Sequence, residues 1–240
     1  MNDNSIFDNS YIKSFMVHID ELRQRLINVL IIIIIASVIS FLFNDFLITL
    51  FLKPVGKVIF LKPAEAFVTR VKISIYASIF ITLPYILYQF WMFVLPALFE
   101  KEVRYLKTII TGSYFLFIIG SLFAFMVVLP YTMGFLKQFG NEFIEPSISF
   151  GSYISFSCSF ILGFGLLFQL PVIIFFLVKL KLASIDFFTK NRKYAIVLIF
   201  IVSAILTPPD ALSQILLALP IMVLYEASIL ICKLLRMNHV

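Results

Sequence analysis

Residues 26–44 read LINVLIIIIIASVISFLFN, nineteen positions without a charge between Arg25 and Asp45. Crossing about 30 Å of hydrocarbon takes roughly 20 helical residues, so length and composition together make this stretch a membrane span. Five more charge-free intervals follow, at 73–99, 108–136, 146–178, 194–209 and 211–225. The 240 residues are 62 % hydrophobic and 13 % charged, against roughly 45–50 % and 25 % in soluble domains. A soluble domain of this size has no means of burying so much apolar surface. Phe occurs 29 times, Gly 8 and Pro 10, which excludes collagen-like, low-complexity and disordered chains. What remains is one integral membrane domain over 1–240, an all-α polytopic bundle. Its six transmembrane helices are expected at about 27–47, 73–95, 109–129, 154–178, 194–207 and 211–232.

The fifth span is short. Between Tyr194 and Leu206 lie 13 residues before Pro208 and Pro209, a rise of only about 20 Å. Such a mismatch is relieved by a thinned bilayer or by burial against neighbours. Thr207-Pro208-Pro209-Asp210 allows a tight turn, with Asp210 placed as N-cap of the sixth helix. Pro84, Pro171 and Pro220 fall inside spans and predict bends, the freed carbonyls being satisfied by neighbouring helices.

Orientation follows from the basic residues. With the N-terminus inside, thirteen Lys and Arg fall in cytoplasmic segments and six on the other side, so both termini are expected in the cytoplasm. The formal charge of +6 and pI near 9.3 then reflect loops beside anionic lipid rather than a nucleic-acid surface. Asp3, Asp8, Asp20 and Glu21 precede the first apolar run, which lacks a small-residue cleavage site, so helix one is expected to remain as an uncleaved anchor. Cys158 and Cys232 sit in apolar runs without partners at metal-ligand or redox spacing and read as core residues.

Polar groups inside the spans are costly and default to functional candidates. Gln169 lies 10 residues before Lys179, about 15 Å along the axis and near the midplane; an interhelical hydrogen bond and a wet cavity are both open readings. Glu226, near the cytoplasmic boundary, suits a headgroup-level carboxylate or a pair with a neighbouring cation. His18 and His239 are the two imidazoles, both outside the spans, so Ser/His catalysis and His-rich metal sites inside the membrane lack raw material. His18 and Glu21 alone make too weak a metal site, and no phosphate-binding loop is present. No cofactor or metal is therefore expected. On the cytoplasmic face Ile19, Leu22 and Leu26 share a helical stripe and Glu21 pairs with Arg25 at i, i+4. This reads as an interfacial helix lying ahead of helix one.

At these residues the sequence resembles the TatC family, the polytopic core subunit of the twin-arginine protein translocase. His18-Ile19-Asp20-Glu21-Leu22-Arg23 is similar to the family's H-[LI]-x-E-L-R opening, and Pro84-Tyr85-Ile86-Leu87-Tyr88-Gln89-Phe90-Trp91 with Pro96-Ala97-Leu98 and Glu102 to its second signature. Phe164-Gly165, Phe168-Gln169-Leu170-Pro171, Thr207-Pro208-Pro209-Asp210, Gln214, Pro220 and Tyr225-Glu226 are similar to the later ones. The resemblance implies a glove-like, concave six-helix bundle with short helices five and six. It implies recognition of Arg-Arg signal peptides on the cytoplasmic face and, with single-span TatA/TatB-type partners, export of folded proteins on the proton-motive force. It further implies homo- and hetero-oligomers, lipid contact, no enzymatic chemistry, and a bacterial inner membrane, a plastid thylakoid being the other setting. Carried over by position, Glu21, Arg23, Phe93 and Glu102 are the expected signal-peptide site; Gln169, Asp210, Gln214 and Glu226 belong to the concave face or the partner edge. Gln169 departs from the Glu of many relatives, and an amide does not titrate. A proton- or ion-coupled secondary transporter is the competing class; it calls for broken helices and ionisable groups at mid-depth.

Overall fold

The computed structural model describes residues 4–94, 106–138, 148–206 and 211–234. Among them the chain is helical throughout apart from turns and one isolated β-bridge, Ile59 to Ser149. This is the economical solution in lipid, where backbone N–H and C=O groups have no water to turn to. The helices are α1 (Asn4–Leu42), α2 (Asn44–Leu52), α3 (Pro63–Val94), α4 (Leu106–Phe123), α5 (Leu129–Lys137), α6 (Phe150–Leu167), α7 (Leu170–Lys179), α8 (Ile185–Lys190), α9 (Arg192–Leu206) and α10 (Ala211–Leu234). Five helical stretches, built on α1, α3, α4–α5, α6–α7 and α10, are long and apolar enough to cross a membrane. The 15 residues of α9 rise only about 22 Å. Unlike α9, the last helix is not short, since α10 runs 24 residues, or about 36 Å.

Two expectations about the first helix need correction. The stripe Ile19, Leu22, Leu26 is not a separate interfacial helix, because α1 is continuous from Asn4 to Leu42 and contains no Gly or Pro that would interrupt it. The expected span to residue 47 instead ends at Leu42, with a turn at Phe43 and a second helix beginning at Asn44. The Asn44 amide is buried and donates to the Arg70 carbonyl and to Ser74 Oγ, each at 3.0 Å. Asp45 adds an ion pair to Arg70 at 3.0 Å. These contacts fix α2 against α3 rather than letting α1 run on.

Proline acts differently in different spans. Both α3 and α10 continue through Pro84 and Pro220. At Pro171 the ladder gives way: α6 stops at Leu167, Phe168 and Gln169 form a turn, and α7 restarts at Leu170. Having no N–H, Pro171 leaves the Leu167 carbonyl without its helical donor. Pro130 has a comparable effect on the third span, which passes through a π-helical segment at Ala124–Val128. There the Leu129 N–H reaches back five residues to the Ala124 carbonyl.

The two irregular spans lie against each other. A Cβ built on Gly165 of α6 would fall 2.5 Å from the Phe117 ring and 2.6 Å from Ser121 Oγ on α4, and one on Gly120 would fall 2.5 Å from Phe168. Both glycines are required by closeness of approach, the small-residue packing that helices use in lipid. Ser113 of α4 joins three spans, its hydroxyl receiving Trp91 Nε1 of α3 at 3.3 Å and its carbonyl receiving Gln169 Nε2 at 2.9 Å. Around this crossing lie Leu83, Leu87, Trp91, Phe117 and Phe176 on one side and Phe160, Phe164, Leu217 and Ile221 on the other.

At the end of the bundle where α3 and α6 begin, a third cluster gathers Ile73, Leu129, Phe150, Tyr153 and Ile154. Glu65 clamps this end. Its carboxylate accepts from the Leu61 N–H at 2.7 Å, the Lys62 N–H at 3.3 Å, the Gly151 N–H at 2.7 Å and the Ser149 hydroxyl. It thereby serves the first turns of two helices with one side chain. Glu65 stands in the first turn of α3, ahead of the apolar stretch beginning at Ile73, and the Ser149 hydroxyl foremost, then the Gly151, Leu61 and Lys62 N–H groups, hold its carboxyl at about 2.

Gly165→Ala is expected to destabilise the bundle by about 1–3 kcal/mol through overpacking, whereas Gly112→Ala, with nothing within 4 Å of the new Cβ, should leave it unchanged or firmer. Melting followed by size-exclusion chromatography in detergent measures both. The depressed carboxyl of Glu65 contributes stability that is complete above its unfolded value of 4.5 and lost as pH falls toward about 2. Glu65→Gln should therefore melt lower than wild type at neutral pH and show a smaller loss on acidification through that window.

Candidate functional site

At the opposite end of the bundle, where α1 begins and α3 stops, the sequence HIDELRQR places residues 18, 21 and 25 on one helical face. On α3 the matching face carries Tyr85, Gln89 and Phe93, spaced four residues apart. The two faces meet. His18 stacks on Phe93 with ring centroids 4.3 Å apart and planes inclined by 17°. One turn on, the Glu21 carboxylate takes the Arg25 guanidinium on one oxygen, and its other oxygen lies 3.7 Å from His18 Nδ1. Arg25 Nη1 continues to α3, 3.4 Å from Gln89 Oε1 and 3.5 Å from the Gln89 carbonyl. Gln89 Nε2 in turn donates to the Tyr85 hydroxyl at 2.6 Å.

Burial grades this chain of contacts. The side chain of Arg25 is 17 % exposed and that of Glu21 40 %, so the cation is the inner member and the carboxylate the outer. Arg25 draws the Glu21 carboxyl below its usual range, with a smaller contribution from His18. At 40 % exposure the carboxylate is within reach of an external cation. Arg23, two residues along, is exposed and at that spacing cannot share a face with Glu21. The structure thus brings Glu21 and Phe93 together through His18, and leaves Arg23 on a different side of α1. Glu102 lies outside the described residues. Tyr85 and Gln89 belong to a sequence motif, and their spacing of four with Phe93 is the signal that they face α1.

Of the other four candidates, Gln169, Gln214 and Glu226 do not form one site. Gln169 is buried and its amide donates to the Ser113 carbonyl at 2.9 Å and, at 3.5 Å, to the Gly165 carbonyl. Of its two open readings, the hydrogen bond between helices is the one observed. Gln214, near the start of α10, donates to the Phe200 carbonyl of α9 at 3.0 Å. Glu226, twelve residues on and about 18 Å away along the axis, holds Arg192 through both oxygens at 2.8 and 2.9 Å. Both partners are about half exposed, and a pair of that kind contributes no more than about 1 kcal/mol. Asp210 lies outside the described residues. Among the described residues no three His, Cys, Asp or Glu come together as a metal-ligand set.

The chain matches the family model described as Sec-independent protein translocase protein (TatC) over residues 17–220. It is similar to the Sec-independent protein translocase protein TatC of Carboxydothermus hydrogenoformans, 41 % identical over 91 % of this chain and 92 % of that one. The TatC of Helicobacter pylori strain 26695 is 40 % identical over 90 % and 86 %. Two crystal structures of the twin-arginine translocase receptor TatC also resemble it. The one in DDM has a TM-score of 0.82 at 36 % identity, covering 89 % of this chain and 98 % of that one; the second scores 0.79 at 37 % identity. With five long apolar helices, a carboxylate set beside Phe93 at one end and these likenesses over nine-tenths of its length, the chain belongs to the TatC family of Sec-independent protein translocase proteins.

Proposed function

We propose that this chain is the receptor subunit that takes up twin-arginine signal peptides at the α1–α3 end, and that Glu21 makes the first contact. The observation that carries the reading is the accessible Glu21 carboxylate set beside the His18–Phe93 stack. A guanidinium offers a planar fork that a carboxylate accepts through two hydrogen bonds, whereas an ammonium is a point charge. Such a site favours Arg-Arg over Lys-Lys. Phe93 supplies an aromatic surface for the apolar part of the same peptide, and Glu102 is the second carboxylate of the reading. Arg23, on a different face of α1, serves lipid headgroups or a second partner rather than the Glu21 contact.

The excess of basic residues supports a cytoplasmic placement for this end and both termini, and in this reading the chain sits in a bacterial inner membrane. TatA/TatB-type single-span partners dock along the edge of α9 and α10, near Gln214 and Asp210, and folded cargo leaves on the proton-motive force. The alternative of an ion-coupled transporter gains the break at Phe168 and Gln169 but, among the described residues, no ionisable group bonded to it. Gln169 neither titrates nor is free, since its amide is committed to two carbonyls.

In membranes containing this chain, a photoreactive Arg-Arg peptide should crosslink strongly and its Lys-Lys counterpart weakly. Glu21→Gln together with Glu102→Gln should reduce the Arg-Arg signal by about tenfold or more, the equivalent of one lost charge-assisted hydrogen bond. Equal signals from both peptides and both proteins would remove Glu21 from the site. For orientation, Lys57→Cys should react with an impermeant maleimide from outside intact cells and Lys181→Cys only after lysis. The native Cys158 and Cys232 are buried and give little background.

A further inference from the structure

A groove of about 630 Å³ runs between α7, α8, α9 and α10, within the range of pockets that hold small ligands. Ile174, Ala195, Val202 and Ile221 are among its walls. Tyr225 spends its hydroxyl on the Phe188 carbonyl of α8 at 2.8 Å, so the surface it offers the groove is its ring. Polarity is confined to one end, where Asn191 and Tyr194 line the mouth. From Asn191 to Val202 is eleven residues of α9, about 17 Å, close to the depth of one leaflet of a roughly 30 Å core.

The mouth is also the basic end. Between 179 and 193 the chain carries five Lys and Arg against the single Asp186. Arg192 is held by Glu226, while Lys190 is exposed at the end of α8 and Lys193 lies 5.1 Å over the ring of Tyr194. A tyrosine beside lysines marks the level of lipid headgroups, and an apolar cleft one leaflet deep below it fits a hydrocarbon tail.

We propose that this groove holds one acyl chain of an anionic phospholipid, whose phosphate sits at the mouth between Lys190 and Lys193. The site is remote from the α1–α3 contact of the signal-peptide reading and does not depend on it. Charge complementarity selects the headgroup, and the dry walls select the tail. Lipid bound here fills the space that the short helix α9 leaves against α7, joining two parts of the bundle that otherwise meet across a gap.

Native mass spectrometry of the full-length protein in detergent tests this, with phosphatidylglycerol and phosphatidylcholine of identical chains as probes. One phosphatidylglycerol should be retained about tenfold more strongly than phosphatidylcholine, as expected for two lysines at an anionic surface. Lys190→Gln with Lys193→Gln should abolish the preference, whereas Lys53→Gln with Lys57→Gln at the opposite end should preserve it. Ala195→Phe, or Val202→Phe if the first does not fold, should reduce retention of both lipids by filling the cleft. Equal retention of the two lipids by the wild type, or undiminished retention by a folded groove-filled variant, would overturn the proposal. So would capture of a single-span protein rather than lipid by a photocrosslinker at Ile173, on the α7 wall of the groove and away from the α9–α10 edge.

Discussion

Everything in this bundle depends on the close crossing of α4 with the α6–α7 span. Gly120 and Gly165 admit Phe168 and Phe117 to distances no other residue would permit. With the backbones that near, Gln169 reaches the Ser113 carbonyl, and Trp91 of α3 joins the same residue at its hydroxyl. Lipid tails are as apolar as Leu or Phe, so burial alone gives little reason for helices to associate in a membrane. Shape and a few internal hydrogen bonds must decide instead. The crossing concentrates both in one place, and two of the three apolar clusters lie around it.

Both irregular spans meet at that crossing. A π-helical segment precedes Pro130 and a turn precedes Pro171, each a local answer to a missing N–H. Their neighbours make the answers tolerable, because Gln169 brings a donor to the broken span and the Phe123, Phe164 and Phe168 rings pack beside it. By contrast Pro84 and Pro220 lie in helices that stay whole. The difference lies in tertiary surroundings rather than in the proline itself.

This explains which features were legible in the amino-acid sequence. Placing a charge in hydrocarbon is so costly that the intervals between charges mark the long helices almost directly, as at 73–99 and 146–178. The same argument found the shortness of α9. It could not find the break after Leu42, which depends on the Asn44 amide bonding to α3 across 26 and 30 residues of chain. Nor could it extend α1 back to Asn4, since an amphipathic stripe has the same period whether it lies on the membrane or continues a span. Among site residues, the Glu21–Arg25 pair is local and was visible from spacing. Arg192 as the partner of Glu226 is 34 residues away, and no local pattern announces it.

The ion pair within α1 gives the proposed receptor a particular character. Glu21 is not a vacant carboxylate awaiting a cation; it already holds an arginine that is itself tethered to Gln89. On that proposal an arriving guanidinium would displace or share an existing partner, so the energy released on docking would be a difference between two similar contacts. Binding through such an exchange is weak for its chemistry and quickly reversed, yet it keeps the selectivity of the fork. For a protein that must hand each passenger on rather than keep it, discrimination without tenacity is the useful combination.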